Sequence, residues 1–224
     1  MAQLPRSLTD SSLEDRQIPP EVQRAERRER LLARMTEVFA KRGYQAASVG
    51  NLITGAKMSM GSFYKEFDGK EDSFLQVYDR VIRRAQERLE IEIPAGADWE
   101  AQAISGVRAL VGFVAEEQMS ARIVLVEAQT SGPEVQRRHG EVLAGLAGFL
   151  RRGRDFGSAA GKLPENAEDA AVSGLAWLLQ SRLTRSGLKD AGKLGEEVTR
   201  LVLEPYIGRE PADRAARRPP AAKS

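Results

Sequence analysis

The chain has 224 residues, enough for one large or two small domains of roughly 100–200 residues each, and its 42% apolar and 29% charged content is that of a globular protein with a real core. It has no cysteine, which excludes a disulfide framework, a thiolate metal site and a cysteine nucleophile. A formal charge of +2 excludes a polycation, so any nucleic-acid surface must come from local clustering.

Residues 1–20 show no periodicity and no apolar signal segment, and end in Pro19-Pro20; they are expected to be a disordered leader. Leu31, Met35, Val38 and Phe39 then form a helical stripe, with Gly43 as its C-cap. Val49, Leu52, Ile53 and Ala56 predict a second, short helix behind Ser48 as N-cap. Met60, Phe63 and Phe67 predict a third at i, i+3 and i+7. The run Asp68-Gly-Lys-Glu71 has the form of a capping box for a long fourth helix through Phe74, Tyr78, Val81, Ile82, Ala85 and Leu89, stopped at Pro94.

From Trp99 to Glu117, Ile104, Val107, Leu110, Val111 and Val114 predict an amphipathic helix. The segment "ARIVLVEAQ" is β-rich by propensity but has no second strand to pair with, so it is expected to be helical. Ser131-Gly132-Pro133 breaks the chain and starts a helix through Val135, Val142, Leu143, Leu146, Phe149 and Leu150. Pro164 opens another helix to about Ser186, residues 191–207 form the last, and the Pro-, Ala- and Arg-rich stretch 208–224 is expected to be a disordered tail. No run approaches the ~18–20 apolar residues of a membrane span, so the expected location is the cytoplasm, with no membrane partner.

Charge clusters where the short helices lie. Residues 21–70 hold ten Lys/Arg against six Asp/Glu. In "SVGNLITGAKMSMGSFYKEF" two short helices are joined by about four residues, the second opening with serine and glycine. That is the spacing of a helix-turn-helix, whose second helix enters the DNA major groove. Phe63 and Phe67 fall on the core side; Tyr64 falls on the other face beside Lys65, where a phenol and an ammonium both reach phosphate oxygens. Gly61 lets the backbone approach DNA closely. An isolated Phe/Tyr-rich helix is more often ordinary core, but the joint spacing and the basic excess favour DNA binding.

The same stretch resembles the DNA-binding domain of the TetR family of transcriptional regulators, whose pattern is roughly T-V-x-x-I-A-x-x-A-G-V-S-x-G-T-L-Y-x-Y-F-x-x-K-x-x-L. Ser48, Val49, Leu52, Ala56, Met58, Ser59, Gly61, Ser62, Phe63, Tyr64, Phe67 and Lys70 carry the resemblance, which covers about residues 24–78. It implies that Ser48, Tyr64 and Lys70 bind phosphates while Ser59, Met60 and Ser62 face base edges. Three positions depart. Lys57 stands where the pattern has the glycine of the turn, Ile53 replaces alanine, and Met60 stands where lysine is common, leaving Lys57 and Lys65 as the replacement cations.

The resemblance further implies an all-α fold: a helix-turn-helix domain over residues 21–68, joined by the long fourth helix to a C-terminal ligand-binding and dimerisation domain over 69–207. It implies a homodimeric repressor on a palindromic double-stranded operator, released by a small effector when the fourth helix shifts. Candidate pocket residues are Tyr78, Phe113, Met119, Glu127, His139 and Trp177; each has a plain packing or surface alternative, Glu127 as a solvated edge and His139 as a hydrogen-bonded core histidine. Candidate dimer contacts are Leu175, Leu178, Leu179, Leu183, Val198, Leu201 and Val202. Aliphatic helix faces and few aromatics point to an apolar or amphipathic effector.

No Glu-x-x-His pair, nucleophile elbow or phosphate loop is present, so no catalytic residue, metal or cofactor is expected. A helical interaction scaffold is the rival class. It accounts for the amphipathic helices but not for residues 48–70.

Overall fold

The computed structural model describes residues 19–157, 161, 163–185, 188 and 190–218; the expected leader, save its last two residues, lies outside them. Among the described residues there are ten α-helices and no strand. None of these helices is long and apolar enough to cross a membrane.

α1 (Pro20–Arg42) starts on a proline and ends where Gly43 turns to φ 81° and donates its N–H to Phe39 O at 2.8 Å. α2 (Val49–Ala56) and α3 (Met60–Glu66) follow, then the long α4 (Lys70–Glu92). Their aromatic side chains seal the first core. Phe39, Phe63 and Phe74 are completely buried, and Phe74 packs edge-on against both Phe39 and Tyr44 with ring centroids 4.9 Å apart. Burying each such ring stabilises by about 1.5–3 kcal/mol.

The capping box expected at Asp68 and Glu71 does not form. Gly69 occupies the N-cap, and Asp72 accepts a hydrogen bond from Asp68 N–H at 3.0 Å. Glu71 points away instead, accepting from Glu134 N–H at 3.3 Å at the start of a distant helix, α7 (Pro133–Arg151). A Cβ on Gly132 would lie 1.9 Å from that carboxylate, so any larger residue there would displace the Glu71 side chain.

The rest of the chain forms α5 (Trp99–Glu116), α6 (Gln118–Leu125), α7, α8 (Ala167–Arg185), α9 (Ala191–Ile207) and α10 (Arg209–Arg217). The "ARIVLVEAQ" segment is helical, as its lack of a strand partner requires, and passes into a 3-10 turn over Glu127–Thr130. A second core, with Trp99, Val107, Leu150, Val172 and Val198, joins α5, α7, α8 and α9.

Part of the expected tail is ordered. Gly208, at φ 81°, reverses the chain into α10, whose Ala212, Ala215 and Ala216 are buried. Arg108 of α5 donates to Ala216 O at 2.9 Å and also to Arg218 O, satisfying carbonyls at the end of that helix. Buried alanine loses no side-chain entropy, so a segment disordered by composition can order once a neighbouring surface exists. Glu168, completely buried at the start of α8, accepts two hydrogen bonds from Arg154 at 2.8 and 2.7 Å and one from Tyr206 at 3.3 Å.

Candidate functional site

Ser48 opens α2 with a reciprocal box: Asn51 N–H donates to Ser48 Oγ at 3.2 Å, and Ser48 N–H donates to Asn51 Oδ1 at 3.1 Å. α2 ends at Lys57, which sits at φ 55°, ψ 50° and is the non-glycine residue in the left-handed region among those described. Ser59 then caps α3, its Oγ accepting from Ser62 N–H at 3.1 Å and lying 2.8 Å from Ser62 Oγ. The turn therefore holds despite the missing glycine, at a cost of about 1 kcal/mol for a side chain at positive φ.

α3 has two faces. Phe63 is sealed in the core, with Phe67 buried just beyond the helix end, whereas Met60 is 54% and Tyr64 57% exposed. Tyr64 is braced edge-on by Phe63, centroids 5.3 Å apart, so its phenol projects from a fixed ring. A Cβ on Gly61 meets nothing within 4 Å. The packing of this chain does not require glycine there. Lys57 and Lys65 are exposed beside this face.

Lys70 is placed differently. Its ammonium donates to Tyr44 O at 3.1 Å and lies 4.5 Å from the Tyr44 ring centroid, so it ties α4 to the α1–α2 connection. Two arginines of α1 also brace the unit: Arg28 pairs with Glu66 of α3 at 2.8 Å, and Arg34 donates to Ala56 O at 3.3 Å. Gly55 was not singled out by sequence reasoning, yet a Cβ there would lie 2.3 Å from Val38 Cγ2. It sets the close approach of α2 to α1.

The C-terminal half contains a cavity of about 890 Å³ lined by α4, α5, α6, α7 and α8. One end is apolar, walled by Leu89, Ile93, Leu146 and Phe149. The other, between α4 and α7, carries Asp79, Arg83, Arg138, His139 and Glu141. Tyr78 OH and His139 Nδ1 are 3.0 Å apart there. Burial pushes the Tyr78 phenol up and the His139 imidazole down, so near neutral pH a neutral phenol and a neutral ring share this hydrogen bond.

Residues 31–77 match the bacterial regulatory proteins of the tetR family. That segment takes in the second half of α1, all of α2 and α3 and the start of α4, so the likeness to this family lies in the helix-turn-helix unit. The HTH-type transcriptional activator FasR of Mycolicibacterium smegmatis is 26% identical over 112 residues, which is 50% of this chain and 51% of that protein, so the match spans about half the length of this curated relative. The fatty acid degradation regulator FadR from Bacillus halodurans superposes with a TM-score of 0.68 at 20% identity, covering 79% of this chain and 97% of that one. The transcriptional regulator FadR from Bacillus subtilis, in complex with stearoyl-CoA, gives 0.66 at 20% identity, covering 80% and 98%. These likenesses show the fold.

Within this TetR-like fold the six pocket candidates separate. Phe113 and His139 line the cavity, and Tyr78 lies behind His139. Met119 and Trp177 face outward, Trp177 at 64% exposure. Glu127 is no solvated edge: it is 5% exposed, accepts from Tyr44 N–H at 2.7 Å and pairs with Arg122 at 3.2 Å. The 3-10 turn aims its carboxylate away from the cavity and onto the α1–α2 connection.

The dimer candidates separate by helix phase. Leu179, Val198 and Val202 are consumed by the chain's own core, and Leu175, Leu178 and Leu183 are half-buried against it. Leu201 is 58% exposed on α9, while α8 presents Trp177 along a row with the exposed Ala170, Ser173 and Gly174. The outward surface is thus Trp177 with Leu201.

Proposed function

We propose that this chain is a DNA-binding transcriptional regulator that works as a homodimer and takes a small amphipathic effector in its C-terminal cavity. The observation that carries the reading is α3: its inner face is sealed by Phe63 while Met60, Gly61, Tyr64 and Lys65 form an exposed outer face. In a major groove Ser59, Met60 and Ser62 would face bases, with Ser48, Tyr64, Lys57 and Lys65 on phosphates. Lys70 would act indirectly, by holding the α1–α2 connection.

One short helix reads too few bases for specificity, which is why a dimer on half-sites about 34–36 Å apart is proposed. Trp177 and Leu201 are the apolar anchors available for it. The cavity is within the ~300–1,000 Å³ range of small-molecule sites, and the relatives named for fatty acid regulation and stearoyl-CoA support an acyl chain as occupant. Occupancy would act through α4, shared by the cavity wall and the first core, changing the spacing of the two recognition helices. Effector release of a repressor is the outcome we propose. The naming of FasR as an activator supports a second reading, in which the bound regulator promotes transcription.

Selection from random duplex DNA by the purified protein, with its mass measured by sedimentation, tests this. Enrichment of an inverted repeat by a dimer is expected. A monomer that enriches no sequence at moderate salt would return the helical scaffold to first place. A reporter carrying the enriched site upstream or across a promoter then separates activation from repression.

A further inference from the structure

The two ends of the cavity differ in kind, and the two carboxylates and two guanidiniums at the polar end are not all paired with one another. Asp79 and Arg138 join α4 to α7 at 3.1 Å, and Glu141 lies 3.6 Å from Arg138 while also pairing with Arg137. Both carboxylates are thereby engaged. Arg83 is different: it stands one turn beyond Asp79 on the same face of α4, is exposed, lines the cavity, and makes no ion pair or hydrogen bond among the described residues. The neighbouring imidazole of His139 is occupied by Tyr78 and adds no charge. The spare group at this end is therefore a cation, whereas Leu89, Ile93, Leu146 and Phe149 wall the opposite end.

We propose that the effector is an alkyl or acyl chain with an anionic head, and that the head seats on Arg83 and Arg138 at the α4–α7 end of the cavity, displacing Asp79 from Arg138. This rests on the ligand-binding reading above and extends it to the chemistry of the head. A guanidinium binds a carboxylate or a phosphate through two parallel hydrogen bonds, so either anion satisfies the pair. The position of the head matters for regulation. Asp79 follows Tyr78 on α4, and these two residues make the polar clasp to α7. A head that takes Arg138 from Asp79 opens half of that clasp, one residue from Tyr78 of the first core. A neutral ligand filling the apolar end alone would leave it closed.

Calorimetric titration of the full chain with dodecanoate, dodecanoyl-coenzyme A, methyl dodecanoate and dodecylamine below their micellar concentrations tests the inference. At least one anionic compound should bind about tenfold more tightly than the methyl ester, the sum expected of two partly exposed charge pairs. Preference for the free acid identifies a carboxylate as the recognised anion; preference confined to the thioester identifies the coenzyme phosphates. Arg83→Gln and Arg138→Gln should each shrink the preference, with Arg83→Lys restoring part of it, and Asp79→Asn should tighten the anion a few-fold. Arg83 is exposed and unpaired, so its variants keep the wild-type melting temperature. Equal binding of ester and anions, or preference for the amine, overturns the head assignment and leaves the acyl reading standing. Failure of all four compounds to bind overturns both.

Discussion

The N-terminal core is filled and the C-terminal one is not. Around α3, aromatic rings from α1, α3 and α4 close on one another with 0–2% exposure, and even a methyl on Gly55 would collide with Val38. Around α7, largely aliphatic helix faces leave about 890 Å³ open. On the proposed function the difference has a reason: a helix that reads DNA has to hold its side chains in register, which dense packing provides, whereas a receptor has to leave space for its guest. α4 belongs to both, with Phe74 and Val77 in the first core and Leu89 on the cavity wall.

The widest contrast should come from truncating one large side chain in each region. Phe74→Ala should cost about 3–5 kcal/mol of unfolding free energy, because the packed ring cluster cannot collapse. Leu146→Ala, at a wall that already faces space, should cost no more than about 1–2 kcal/mol. Equal losses in chemical denaturation would break the comparison.

Next comes the buried carboxylate beside the cavity domain's core. Hydrogen bonds from Arg154 hold the Glu168 carboxyl below the usual carboxylate range. Its folded pKa is thus depressed, so it contributes stability above the ordinary glutamate value, and the contribution disappears as pH falls through the lower folded value. Glu168→Gln should lower the melting temperature at pH 7 and flatten the acid limb of the stability profile below about pH 4.3. An unchanged acid limb would show that the pair is not a pH-dependent support.

On the DNA-facing side the effects are smaller and separable. Tyr64→Phe should weaken binding by about 1 kcal/mol on every duplex alike, as loss of one phosphate hydrogen bond requires. Lys65→Ala should reduce the salt slope of binding by about 0.9. A Tyr64→Phe loss confined to one base sequence would move the phenol from phosphate to base edge. Smallest of all, Lys57→Gly should stabilise the fold by up to about 1 kcal/mol by relieving the left-handed backbone, while weakening DNA binding through the lost cation. Destabilisation would mean the lysine side chain packs more than its exposure indicates.

The elements legible from residue order are those whose causes are local. Ser48, Ser59 and Gly43 act on neighbours within four residues, and the Phe63 and Phe67 spacing reports a buried face directly; these placed the helix-turn-helix. Misreadings lie where a distant partner decides. Glu127 is buried by Tyr44, 83 positions away, and α10 is ordered in part by Arg108, more than 100 positions away. Glu71 has the form of a local cap, but Glu134 is near enough in space to take it. The cavity leaves no mark in the sequence because the aliphatic stripes that wall a void are the same stripes that fill a core. Helix phase on α8 and α9 was resolvable only once both neighbours were known, which is why Trp177, weighed as a pocket wall, proves to face outward.

The central claim is that the cavity governs the reader, and the most direct test is to titrate the selected operator complex with stearoyl-coenzyme A, using wild type and Leu146→Trp, whose indole fills the apolar end. The account predicts an operator affinity that changes by about tenfold or more in wild type and stays fixed in the variant, with both proteins binding equally well before addition. No change in wild type, or the same change in both, would contradict it.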